Sequence, residues 1–111
     1  MKEAGHGHVV MISSMAGINA NPVAPLYCTS KFALEGFTEG LRKQCDAWRQ
    51  QGVDIRVSNV KPGLVDSGYW GDRQVDREKF MTCGEMAAVL YWTIAAGDTM
   101  NVTEIRVESR R

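Results

Sequence analysis

Tyr27 and Lys31 stand four residues apart, Ser14 precedes the tyrosine by thirteen positions, and a Pro62-Gly63 pair lies downstream. Residues four apart on a helix share one face and lie one turn from each other. A phenol ionises near ~10 in isolation, and a neighbouring ammonium favours its phenolate form. Such a pair can act as a general acid/base, exchanging a proton with a carbonyl or alcohol oxygen. A serine hydroxyl bonded to the same oxygen would hold it and stabilise charge there. The Tyr-x-x-x-Lys spacing by itself is weak, because a half-buried phenol and a solvated ammonium produce it on many helices. The elements around it must decide.

His8-Val9-Val10-Met11-Ile12-Ser13 is short, apolar and partly β-branched, the pattern of a buried strand. Gly17, Asn19, Asn21, Pro22 and Pro25 then mark an irregular loop. From about Leu26 to Gln51 the period is helical, with Phe32, Leu34, Phe37, Leu41, Cys45 and Trp48 as the expected apolar side. Gly36 and Gly40, four apart, suit a closely packed helix face, and Gly52 is a natural stop. Val53 to Val60 alternates as a second strand, halted at Lys61-Pro62-Gly63. Residues 64 to about 82 form a long connection, the length of a functional lid or insert. Glu85 to Ala96 reads as a second helix with Met86, Val89, Leu90 and Ile94 inward, and Val102 to Val107 as a third strand. Right-handed crossovers make three such strands parallel, an α/β arrangement with helices packed on the sheet. Ligands of parallel sheets gather at the carboxyl ends of the strands. Ser14, Pro62-Gly63 and the start of the Tyr27 helix all belong to that edge.

The 111 residues allow one domain at most. Apolar residues make up 44% and charged residues 23%, an ordinary globular balance. Thirteen basic and thirteen acidic side chains cancel, so no overall field recruits nucleic acid or an anionic membrane. No apolar run approaches the roughly 20 residues of a membrane helix, and the start lacks the apolar core of a signal peptide. Cys28, Cys45 and Cys83 are odd in number and widely spaced, which suggests reduced thiols in a cytoplasmic protein without a disulfide frame or metal site.

Three strings carry more than the pair does. They are His8-Val9-Val10-Met11-Ile12-Ser13-Ser14-Met15-Ala16-Gly17, Pro25-Leu26-Tyr27-Cys28-Thr29-Ser30-Lys31-Phe32-Ala33-Leu34-Glu35-Gly36-Phe37, and Ile55-Arg56-Val57-Ser58-Asn59-Val60-Lys61-Pro62-Gly63-Leu64-Val65. In this order and spacing they strongly resemble the short-chain dehydrogenase/reductase family, over essentially residues 5 to 108. The resemblance implies a partial Rossmann-type doubly wound parallel sheet, three strands and two main helices from the C-terminal half of one domain. It implies an oxidoreductase that interconverts a small carbonyl and an alcohol by hydride transfer with NADP or NAD. It casts Tyr27 as the acid/base, Ser14 rather than Ser13 as the substrate-orienting serine, and Lys31 as the residue that holds the nicotinamide ribose and assists the tyrosine. Pro62, Gly63, Leu64 and Val65 would pack beside the nicotinamide. Ser67 stands where the family usually has threonine, and Tyr69 and Trp70 fall in the variable substrate loop. The ending Asn101-Val102-Thr103-Glu104-Ile105 resembles the NADP-preferring carbonyl and hydroxy-acid reductases of the family.

The departures are as informative. Family members are more than twice this length and begin with a strand and a glycine-rich turn that receives the pyrophosphate. That dinucleotide-binding half and the family's catalytic asparagine have no counterpart here, so the chain is expected to be a fragment with residues 8 to 13 at an open apolar edge. The full-length form would be a homo-oligomer packed through the Tyr27 helix. The alternative is a truncated, inactive chain that acts only by associating with full-length relatives. A nucleophilic hydrolase is disfavoured, since the position three before Lys31 is Cys28 and not serine, and Gly-x-Ser-x-Gly does not occur.

Overall fold

Short β-branched runs separated by one long and one shorter amphipathic segment leave few choices, and the chain takes the simplest. The computed structural model describes residues 1–110. In chain order they form β1 (His6–Ile12), α1 (Pro25–Arg49), β2 (Asp54–Pro62), β3 (Val65–Asp66), β4 (Met81–Thr82), α2 (Cys83–Ala95) and β5 (Glu104–Val107), with 3-10 turns at Met15–Gly17, Gly68–Trp70 and Arg77–Lys79. The main sheet has the order β1-β2-β5 and is parallel throughout. A parallel two-residue ladder joins β3 to β4 and divides the long connection after β2. β1 opposes β2 from His6↔Asp54 to Ile12↔Val60, and its other edge has no strand partner among the described residues.

Strand alternation puts a helix on each face of the sheet. Val9, Ile55 and Val57 pack with Leu41, Cys45 and Trp48 of α1. Val10, Val60 and Val107 pack with Met86, Val89 and Leu90 of α2. This is the expected α/β, doubly wound arrangement of three strands and two main helices. α2 starts on a capping box: the Thr82 hydroxyl accepts from the Glu85 amide while the Glu85 carboxylate accepts from the Thr82 amide. α1 opens with Pro25 in its first turn and ends before Gly52, whose φ of +84° suits glycine alone.

Three sequence expectations are corrected. Phe32 and Phe37 are exposed, at 45% and 60%, because the sheet-facing line of α1 runs through Cys28, Thr38 and Cys45 instead. Ile94 is exposed on α2, where buried Thr93 takes the inward place and satisfies its hydroxyl on the Val89 carbonyl. Gly36 and Gly40 border open space, not a close packing partner.

Candidate active site

The buried face of α1 changes character along its length. Its C-terminal turns press apolar Leu41, Cys45 and Trp48 on the sheet, while its N-terminal turns bring Tyr27, Lys31 and Glu35, spaced four apart, over the strand ends. There a cleft of about 1080 Å3 opens. The nine positions singled out from sequence, Ser14, Tyr27, Lys31, Pro62, Gly63, Val65, Ser67, Tyr69 and Trp70, all line it.

After β1, Ser14 sits in extended backbone (φ −169°, ψ 160°) and caps the 3-10 turn at Met15–Gly17. Its hydroxyl oxygen accepts from the Ala16 amide at 3.1 Å, which leaves its own proton free to be donated into the cleft. Ser13 turns the other way: it is buried and donates to Glu35 of α1. Gly17 lets this turn lie flat on the helix, since a Cβ there would stand 3.0 Å from both the Lys31 carbonyl and the Ser13 hydroxyl. The distance between the Ser14 turn and the Tyr27 helix is therefore fixed by a glycine.

Lys31 donates to the Ile12 carbonyl at 3.3 Å, and its Nζ lies 5.7 Å from the centroid of the Tyr27 ring. It pairs with no carboxylate among the described residues, so two of its three donors remain available to a ligand. The Tyr27 ring leans on Tyr69 at 5.8 Å between centroids, and its hydroxyl is unbonded among the described residues. Pro62 ends β2, and Gly63 continues along β5 by donating to the Val107 carbonyl at 2.8 Å.

The loop aromatics have separate jobs. Trp70 donates its indole N–H to the Val65 carbonyl at 2.8 Å and packs on buried Phe80, which anchors the loop. Tyr69 is 55% exposed and faces the cleft between Tyr27 and Trp70. Ser67 caps the turn at Gly68–Trp70, accepting from the Tyr69 amide.

Sequence reading missed the polar cluster beneath the cleft. Lys61, 4% exposed in its side chain, bridges Glu35 at 2.7 Å and Glu104 at 2.8 Å. Asn59 donates to both oxygens of Glu35, and Ser13 adds a further bond. Burial would raise the Glu35 carboxyl, but the bonds from Lys61, Ser13 and Asn59 outweigh it and hold the group below the ordinary carboxylate range. Burial likewise opposes the Lys61 ammonium, yet Glu104 and Glu35 raise it above the usual lysine value. Lys61 also lowers Glu104, against burial and with help from Arg106. The cluster ties β2, β5 and α1 to the residue that follows β1, one residue from Ser14 and from Pro62. The signal was in the sequence: Glu35 continues the four-residue series of Tyr27 and Lys31, and Lys61 abuts Pro62-Gly63.

Comparison with known proteins bears on the fold and the family. The family model of short chain dehydrogenases matches residues 1–78. An uncharacterized oxidoreductase of Staphylococcus saprophyticus is 27% identical over 107 residues, 96% of this chain and 44% of its own length. Human retinol dehydrogenase 10 is 35% identical over 78 residues, 70% of this chain and 22% of its own. The chain thus spans less than half the length of these curated relatives. Among solved structures, serine dehydrogenase from Escherichia coli superposes with a TM-score of 0.75 at 23% identity, covering 96% of this chain and 42% of that one. A closed form of serine dehydrogenase complexed with NADP+ gives 0.74 at 20% identity, covering 95% and 45%. At these identities the structures speak for the fold. With the family model over residues 1–78 and the strand-end cleft, they lead to one conclusion: the chain belongs to the short-chain dehydrogenase/reductase family of oxidoreductases.

Proposed function

We propose that this chain is the catalytic, C-terminal half of a single-domain NAD(P)-dependent oxidoreductase that interconverts a small carbonyl compound and its alcohol. The observation that carries the reading is the convergence of Ser14, Tyr27 and Lys31 with Pro62-Gly63 on one cleft at the carboxyl edge of a parallel sheet. The two spare donors of Lys31 suit ribose hydroxyls, and the flat wall at Pro62, Gly63 and Val65, with the Ser67 hydroxyl, suits a planar amide-bearing ring. When bound, the nicotinamide supplies or accepts the hydride. Tyr27 gives the substrate oxygen its proton in reduction and takes it back in oxidation. Ser14 donates its hydroxyl proton to that oxygen and holds it in reach of the phenol. The pyrophosphate end of the cofactor belongs to a dinucleotide-binding half outside these residues. NADP is favoured over NAD, in keeping with the NADP+ complex of serine dehydrogenase and the C-terminal sequence pattern.

A second reading, association with full-length relatives without catalysis, draws on exposed Phe32 and Phe37 along α1. The same face would serve a homo-oligomer of the active protein. Tyr27→Phe separates the readings. In the natural protein it keeps the ring packing on Tyr69 and lowers carbonyl reduction by about 10²–10⁴-fold. Unchanged turnover in that variant, or none in the parent with any simple carbonyl, defeats the catalytic reading.

A further inference from the structure

The loop that walls the cleft carries three cations, and two are neutralised beside it. Arg77 pairs with Asp66 at 2.8 Å, and Lys79 with Asp76 at 3.0 Å. Arg73 forms no ion pair among the described residues, although it lines the cleft. Its guanidinium lies over the exposed Tyr69 ring, 5.2 Å from the centroid, and its backbone amide is pinned to the Trp70 carbonyl at 3.1 Å. Stacking on an aromatic face leaves the five guanidinium donors and the full charge available in the ring plane. Glu108 is the acidic residue on the cleft lining and makes no bond to Arg73.

Tyr69 therefore touches two polar groups of the cleft: its ring centroid lies 5.8 Å from that of Tyr27 and 5.2 Å from the Arg73 guanidinium. The same lining offers Tyr69, Leu64 and Val65, a largely apolar set of side chains. We propose that Arg73 determines specificity by receiving the carboxylate of an aromatic carbonyl substrate, whose ring rests on Tyr69 while its carbonyl meets Tyr27 and Ser14. Guanidinium and carboxylate match two donors to two oxygens, so the pair fixes orientation as well as attraction. The inference rests on the cleft's reading as the substrate pocket and adds the class of molecule.

The test compares 4-formylbenzoate with its uncharged isostere 4-formylbenzamide in the natural protein. Binding is followed at the Trp70 indole N–H by NMR, and turnover is measured separately. The carboxylate is expected to bind at least about tenfold more tightly, a difference of 1.4 kcal/mol. Arg73→Gln abolishes the difference, Arg73→Lys keeps part of it, and roughly half-molar salt shrinks it. Equal affinity for the two probes, or a preference that survives Arg73→Gln, overturns the proposal. So does inorganic phosphate that displaces the carboxylate at comparable concentration, since the arginine would then belong to a phosphate group. Tyr27→Phe should stop turnover and leave the binding preference intact. Failure of the oxidoreductase reading and failure of this one are thus told apart.

Discussion

Replacing Lys61 by methionine is the sharpest probe of what holds the strand ends in place. Methionine keeps most of the aliphatic stem, so packing changes little and the ammonium is what is lost. Glu104, with its side chain 36% exposed, can recover water, and that arm of the bridge is worth no more than about 1 kcal/mol. Glu35 is 19% exposed and sits between α1 and the sheet, so it keeps only Ser13 and Asn59 as partners. Removing one member of a fully buried pair costs about 3–5 kcal/mol, and partial exposure places this case near the lower end. We expect Lys61→Met to lose about 3 kcal/mol of unfolding free energy in urea titrations followed by circular dichroism. Glu35→Gln on that background removes the orphaned charge, so the double variant should regain at least about 1 kcal/mol over simple additivity. The pH dependence gives a second check. Glu35 and Glu104 are depressed when folded, so their stabilisation is present above about 4.5 and is lost as pH falls through the lower folded values. That acid-side slope should be shallower without Lys61. A loss below about 1 kcal/mol, or strict additivity with Glu35→Gln, refutes the reasoning.

Two further outcomes follow from the same geometry. Ser14→Ala should depress turnover severely with little loss of stability, whereas Ser13→Ala should lower stability by about 1–3 kcal/mol and turnover only mildly, because Ser13 bonds buried-side Glu35; the pair is read by parallel kinetics and urea melts. His8 is depressed by burial and then by Arg56, and its Nδ1 is buried without a partner among the described residues, so the unfolded chain binds its proton more readily. Stability should fall as pH drops below about 6.5 toward the folded value, and His8→Gln should flatten melting temperature between about pH 7.5 and 5.5.

Much of the site was legible because its members are held by short-range rules. Helical spacing joins Tyr27 to Lys31, strand alternation separates Ser13 from Ser14, and parallel-sheet topology sends Pro62-Gly63 to the same edge. Alternation shows that Ser13 points away from the cleft but not that Glu35 waits there. Phe32 and Phe37 were misjudged for a related reason. Hydrophobicity marks a helix face only when the opposing surface is apolar, and the sheet beneath the first turns of α1 presents Asn59 and Lys61. The Lys61 cluster joins α1, β2, β5 and the residue after β1; spacing placed Glu35 and Lys61 near the site, but not their contact across that range. Arg73 escaped notice because its distinction is a missing partner, which only the positions of Asp66 and Asp76 reveal.

The register between β1 and β2 also bears on the order of assembly. Every pair, from His6 with Asp54 to Ile12 with Val60, joins residues forty-eight positions apart, and none can form before the whole α1 crossover has been folded back. Closing such a loop carries an entropic cost that rises with the logarithm of its length, and parallel pairings are correspondingly slow to nucleate. α1, by contrast, is built from contacts within a turn and forms on the submicrosecond scale of helices. Tyr27 and Lys31 thus acquire their mutual spacing early, on a helix still without a sheet beneath it. Ser14 joins them only when the ladder closes, so the hydroxyl pair should be among the last features to appear during folding and the first to separate on unfolding.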